Sequence, residues 1–310
     1  MESTQGKILQ GVGGLYTVRI TDPSAPNQGE QVVCRARGVF RHEKCTPLPG
    51  DNVVLQPAEE GQEAFVIHEL LPRRSALIRP PLANLDLLFI TMAAAAPAPI
   101  LTTVDKLISI AEFNDIEPVV VVTKCELAPE YAAELTELYR NAGFHAFCVS
   151  ACDDLGIQPL SDFIEQTLPG RIAAFAGASG IGKSTLLNRL FPTLQLTTSE
   201  ISRKIQRGRH TTRKVELFPL SDSGNCGYIA DTPGFSMLDF ERFDFFERED
   251  LPTTMREFLP YIGQCRYTKC SHTKEEGCAI VEAVKDGRIA RSRHESFCEL
   301  DATLKQKKKW

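Results

Sequence analysis

The chain has 310 residues, of which 43% are hydrophobic, and a formal net charge of -5. That length accommodates two or three domains with a real core in each, and the slight acidity excludes a field over the whole protein that would draw in nucleic acid or an anionic membrane. Such binding has to come from local patches: Arg203, Lys204, Arg207, Arg209, Arg213 and Lys214, a run without an acid, and the tail Lys305, Lys307, Lys308, Lys309, Trp310.

The first residues, Met1-Glu2-Ser3-Thr4-Gln5-Gly6-Lys7, lack the basic start and apolar stretch of a secretory signal. From residue 6 to about 72, short alternating runs such as Tyr16-Thr17-Val18-Arg19-Ile20 and Val32-Val33-Cys34-Arg35-Ala36 are separated by turn-rich pieces, which predicts a small all-β barrel or sandwich. The most apolar stretch, 85–101, contains Asp86, Pro97 and Pro99 and falls short of the ~20 apolar residues needed to span a bilayer. Strands are expected at 86–92, 118–123, 145–150 and 171–176, alternating with helices at 103–114, 131–142 and 160–167, the pattern of a mostly parallel sheet. After Gly234 the sequence becomes mixed, charged and aromatic, with helical character. The expectation is a soluble cytoplasmic monomer whose ten cysteines stay reduced, as thiols or metal ligands.

The strand at 171–176 runs directly into Gly177-Ala178-Ser179-Gly180-Ile181-Gly182-Lys183-Ser184, a full match to G-x-x-x-x-G-K-[ST]. In such a loop, backbone N–H groups at a helix N-terminus converge on phosphate oxygens, and glycines permit the tight path. Lys183 is expected on the β- and γ-phosphates and Ser184 on Mg²⁺, with Thr185 following at the same site. Downstream, Asp231-Thr232-Pro233-Gly234 closes an apolar strand at 227–230, so that Asp231 can hold Mg²⁺ and the Gly234 amide can sense the γ-phosphate. Between them lies Gly208-Arg209-His210-Thr211-Thr212, where either Thr211 or Thr212 closes over the metal. Upstream, Thr123-Lys124-Cys125-Glu126 follows a valine-rich strand and Ser150-Ala151 ends the next, the places where a base is read.

Cys265, Cys270, His272 and Cys278 form C-x₄-C-x-H-x₅-C. Three thiolates and one imidazole match a closed tetrahedral zinc site, structural rather than catalytic, one per chain. The remaining cysteines, Cys34, Cys45, Cys125, Cys148, Cys152, Cys226 and Cys298, are expected to be buried thiols without a special role.

Along the chain the motifs run base-reading, base-reading, phosphate, switch, switch, the order of circularly permuted GTPases. With the β-rich start, the run Gly208–Thr212, Asp231-Thr232-Pro233-Gly234-Phe235 and the distal Cys/His cluster, nearly the whole chain resembles the ribosome-small-subunit-dependent GTPase A (RsgA, YjeQ/YloQ-like) family. The resemblance implies a multidomain α/β protein: an RNA-binding OB-fold barrel at 1–72, a circularly permuted P-loop GTPase at 73–240 and a helical zinc-binding domain at 241–310. It also implies action on GTP and GDP with Mg²⁺, late in maturation of the small ribosomal subunit, with that subunit and its rRNA as partners and no membrane. Two departures stand out. Thr123 and Glu126 replace the asparagine and aspartate of the standard base-reading tetrapeptide, and Phe235 stands where many small GTPases carry a glutamine that orients water. The missing polar group is expected from His210, from the ribosome, or from both. Two competing classes, a P-loop kinase or ATPase and an RNA-binding scaffold with a structural nucleotide, separate on GDP against ADP affinity and on stimulation by the subunit.

Overall fold

The computed structural model describes residues 3–38, 40, 46–58, 65–78, 80–192, 215–221, 226–231 and 246–306. In chain order these form β1 (Thr4–Val12), β2 (Leu15–Ile20), β3 (Gln31–Ala36), β4 (Asn52–Pro57), β5 (Phe65–Leu70), β6 (Ala76–Ile78), β7 (Pro81–Ala83), β8 (Leu87–Ala93), α1 (Leu101–Phe113), β9 (Glu117–Thr123), α2 (Pro129–Asn141), β10 (His145–Cys148), α3 (Ile157–Thr167), β11 (Ile172–Ala176), α4 (Lys183–Leu190), β12 (Glu216–Pro219), β13 (Tyr228–Asp231), α5 (Ala279–Lys285) and α6 (Arg291–Gln306). Each strand and helix expected from periodicity is present within a few residues of its expected bounds, and among the described residues no helix is long and apolar enough to cross a membrane. The chain divides into two compact units, Met1–Leu87 with Ser161–Phe175 and Ser184–Asp239, and Leu88–Leu160 with Ala176–Lys183 and Phe240–Trp310.

In the first unit, β1 to β5 close a barrel in the order β1-β2-β3-β5-β4, with β3 and β5 parallel and the other pairs antiparallel. This is the strand order of an OB-fold. Alternation turns Val18, Ile20, Cys34, Val53, Leu55 and Ile67 inward, while a register shift between Ile8 and Gln10 lets β1 bury both Ile8 and Leu9. The ribbon β6–β7 and the short strand β12 were not anticipated, being too brief for periodicity to register. Gly50, at φ +90, lies where any Cβ would meet the Ala83 carbonyl oxygen at 2.0 Å, so only glycine lets the barrel approach the ribbon this closely. Also in this unit, β11 pairs in parallel with β13, and β12 runs antiparallel along β13.

In the second unit the order is β10-β9-β8, with β10 and β9 parallel. Every residue of β8 is buried, as is the run Val119–Val122 of β9, the signature of strands covered on both faces. The C-terminal part is less regular. Two 3₁₀ turns, Arg248–Thr254 and Arg256–Tyr261, each contain a proline, which denies them continued α-helical bonding. They lead to the Cys/His segment and then to α5 and α6.

This part is held by buried charge. Arg293 of α6 donates to Asp105 of α1 and grips Glu257 through Nε at 2.7 Å and Nη2 at 3.2 Å, and Tyr139 of α2 donates to the same Asp105 at 2.9 Å. Arg293 and Asp105 are each 1% exposed. Burial opposes the Arg293 charge, but Asp105 and Glu257 beside it more than offset that and hold the guanidinium above its ordinary range. Arg256 adds a second clamp, to Glu112 at 2.6 Å and Glu117 at 2.7 Å.

Candidate functional site

The glycine-rich run lies between β11 and α4, as its motif requires, and α4 begins at Lys183. Its backbone path explains its glycines. At Gly177 a Cβ would lie 2.3 Å from Thr91 Oγ1, and Gly180 and Gly182 take φ of +80 and +88, which side chains rarely adopt. Thr91 itself donates to the Ala176 carbonyl at 2.7 Å and so fixes the strand end from which the loop departs. Ser179, Gly180, Ser184 and Thr185 are exposed, Ala178, Gly182 and Lys183 are half-buried, and Ile181 is buried as the loop's anchor. The exposed N-terminus of α4 is what an anion-binding helix end needs.

The loop after β9 meets this run directly. The Thr123 hydroxyl lies 2.5 Å from the Ile181 carbonyl oxygen and 3.1 Å from that of Met92. Lys124, in the left-handed region at φ +57, donates from Nζ to the Gly180 carbonyl at 2.7 Å and the Ala96 carbonyl at 2.6 Å. Cys125 is buried, and burial with Cys148 beside it pushes its thiol up to about 12, so it contributes backbone rather than a reactive side chain. Glu126 carries a buried carboxylate oxygen, Oε2, with no hydrogen-bond partner among the described residues. Ser150 and Ala151 follow β10 in a tight turn: Ser150 N–H donates to the Leu155 carbonyl at 2.9 Å, and its Oγ accepts from Asp153 N–H at 3.2 Å. The sequence-expected base loop and phosphate loop are thus hydrogen-bonded to each other, through Thr123 and Lys124. That link was not read from sequence.

Asp231 is the last residue of β13, opposite Glu216 of β12. His210, Thr211, Thr212 and Gly234 lie outside the described residues, as do the basic run 203–214 and residues 307–310. A cavity of about 340 Å³ opens at the other end of α4, among Leu168, Leu190, Phe191 and Cys226, and takes no part in the phosphate loop.

The metal expectation can be tested on its donors. Sγ of Cys265, Cys270 and Cys278 and a ring nitrogen of His272 lie within 4.8 Å of one another. His272 Nδ1 is 3.5 Å from Cys265 Sγ and 3.6 Å from Cys278 Sγ, and those two sulfurs are 3.8 Å apart. Four donors converging on one point, three soft thiols and an imidazole, fit a closed zinc site. Burial lowers the His272 pKa, which keeps the ring neutral as a ligand must be, and pushes the Cys270 thiol up to about 12, so that a metal has to displace its proton. The outer shell is in place too: the His272 carbonyl is 2.8 Å from His294 Nε2, while Glu275 caps the turn by accepting from the N–H of Ser271 at 2.9 Å and of Thr273 at 3.1 Å. Of the other cysteines, Cys34, Cys125 and Cys226 are buried as expected, whereas Cys148 and Cys298 are half-buried and Cys152, in the turn after β10, is exposed; Cys45 lies outside the described residues.

Comparison with known proteins bears on the same residues. The model of the RsgA GTPase family matches residues 70–241, and that of the RsgA N-terminal domain matches residues 5–66. The chain belongs to the RsgA GTPase family. Its relatives in RsgA include a small ribosomal subunit biogenesis GTPase of Caldanaerobacter subterraneus, 39% identical with 100% of this chain and 98% of the relative covered, and that of Bacillus subtilis, 37% identical with 98% of each covered. Among solved structures, YjeQ from Thermotoga maritima superposes with a TM-score of 0.82 at 30% identity, covering 99% of this chain and 100% of that one. YloQ, described as a circularly permuted GTPase, gives 0.76 at 32% identity, covering 100% and 98%. The chain is therefore an RsgA GTPase, a hydrolase, and shares its N-terminal domain and the fold of a circularly permuted GTPase with these proteins.

Proposed function

We propose that the protein hydrolyses GTP to GDP and phosphate during late maturation of the small ribosomal subunit, and that the subunit stimulates this turnover. The observation that carries the reading is the pairing of a glycine-built phosphate loop with a base-reading loop bonded to it through Thr123 and Lys124, in a chain whose relatives are named for that process over their full length. On this reading the domains are 1–72, 73–240 and 241–310, the first contacting rRNA, and the protein works in the cytoplasm as a monomer.

Each residue then has a task. Backbone N–H groups of residues 177–185 cradle the phosphates, Lys183 neutralises charge on the β- and γ-phosphates, and Ser184, Asp231 and Thr211 or Thr212 hold the Mg²⁺ that travels with the nucleotide. Glu126 and the turn at Ser150-Ala151 read the base. His210 orients the attacking water that Phe235 cannot, and the Gly234 amide senses the γ-phosphate. Zinc, held by Cys265, Cys270, His272 and Cys278, supplies structure to the C-terminal segment. The basic run 203–214 overlaps the first switch, so contact with rRNA phosphates and sensing of the γ-phosphate become properties of one segment, and binding weakens with salt.

The test is GTP hydrolysis with and without purified small subunits, alongside GDP and ADP affinities. Stimulated turnover with a strong preference for GDP is expected. Equal affinity for ADP, or turnover indifferent to the subunit, would sink the proposal.

A further inference from the structure

We infer that Thr123 is a positioning residue, which ties the base-reading loop to the phosphate loop, and that the N7 edge of a bound guanine receives no side-chain hydrogen bond from it. The inference deepens the GTP reading and rests on it. A threonine hydroxyl has one hydrogen. In this chain both of its near neighbours are acceptors, the carbonyl oxygens of Ile181 at 2.5 Å and Met92 at 3.1 Å, and the side chain is buried. The hydrogen is therefore committed to the backbone, the shorter contact lying on the phosphate loop itself. N7 of a purine is an acceptor only and needs a donor. An asparagine at this position would bring two amide hydrogens and could serve both loop and base; Thr123 cannot.

The opposite edge of the base is differently served. Glu126 Oε2 is buried and has no partner among the described residues, the condition in which a carboxylate gains most from an N–H donor. Guanine offers such donors at N1 and the 2-amino group. Discrimination in this protein is thus one-sided, carried by Glu126, while Thr123 acts on affinity through Ile181.

The experiment compares dissociation constants of GDP, 7-deaza-GDP, which has carbon in place of N7, and IDP, which lacks the 2-amino group, for the full-length protein and for Thr123→Ser and Thr123→Val. For the unaltered protein GDP and 7-deaza-GDP should agree within about twofold, less than one neutral hydrogen bond is worth, while IDP binds at least about tenfold more weakly. Thr123→Val should weaken GDP and 7-deaza-GDP by the same factor, and Thr123→Ser, which keeps the hydroxyl, should restore both. A merely structural residue would instead lower the unfolding midpoint in Thr123→Val and leave the dissociation constants of the folded protein unchanged. A large penalty for 7-deaza-GDP that disappears in Thr123→Val overturns the assignment while leaving the GTP reading intact. Failure of the unaltered protein to prefer GDP over ADP overturns that reading instead.

Discussion

The N-terminal barrel and the C-terminal Cys/His part are ordered by opposite means. The barrel buries a continuous set of aliphatic side chains, Ile8, Val18, Ile20, Val53, Leu55 and Ile67, on strands that bury Lys7 and Arg19 beside them. Its stability comes from removing apolar area from water, which neither charge nor metal controls. The C-terminal part has two 3₁₀ turns and a seven-residue helix, α5, before its longer helix α6. Its fixed points are a converging Cys/His set, Arg293 buried against Asp105 and Glu257, and the partly exposed Arg256 paired with Glu112 and Glu117. A segment of this kind is expected to be conditional, ordered only while a metal sits on the Cys/His set and its ion pairs are intact.

Metal removal should break the comparison most sharply. Structural zinc contributes on the order of 10 kcal/mol in small metal-dependent segments, so a chelator, or Cys270→Ala, should strip amide-exchange protection from the region around Cys265–Cys278 while strands β1 to β5 keep theirs. Unchanged protection in the C-terminal segment would refute the conditional picture. A smaller effect is expected from Arg293→Met, which leaves Asp105 and Glu257 buried without their cation. Removing one partner of a buried pair costs about 3–5 kcal/mol, and denaturant unfolding followed by exchange should place that loss in α1, α6 and the 3₁₀ turns rather than in the barrel. Leu55→Ala is the counterpart within the barrel. It should cost about 2–5 kcal/mol through the lost contacts and the cavity left behind, and the loss should be indifferent to chelator. A dependence of the Leu55→Ala effect on zinc would show that the two regions are not ordered separately.

These contrasts also explain what could be read from the sequence. The glycine-rich run was legible because its geometry is local: Gly177, Gly180 and Gly182 carry their reason within eight residues. The barrel strands announced themselves by alternation, and the Cys/His set by donor count and spacing. The Arg293–Asp105 pair was invisible, because its partners are 188 positions apart and nothing in either local pattern names the other. Asp105 did carry a hint, standing beside Val104 and Leu107 on the buried face of α1, where an acid requires a buried partner. The bond from Thr123 to Ile181 was hidden for the same reason, and the identity of Thr123 suggested a weakened base contact without revealing the contact it makes instead.

That bond has a consequence for how the chain is made. Thr123 and Ile181 are 58 residues apart, so at a synthesis rate of about 5–20 residues per second the acceptor follows the donor by about 3–12 s. Through that interval the Met92 carbonyl, already synthesised and 3.1 Å away in the finished fold, is the partner within reach. The nascent chain can therefore keep the Thr123 hydroxyl satisfied on Met92 until Ile181 arrives to take it over, with Thr211, Thr212, Asp231 and Gly234 still to follow.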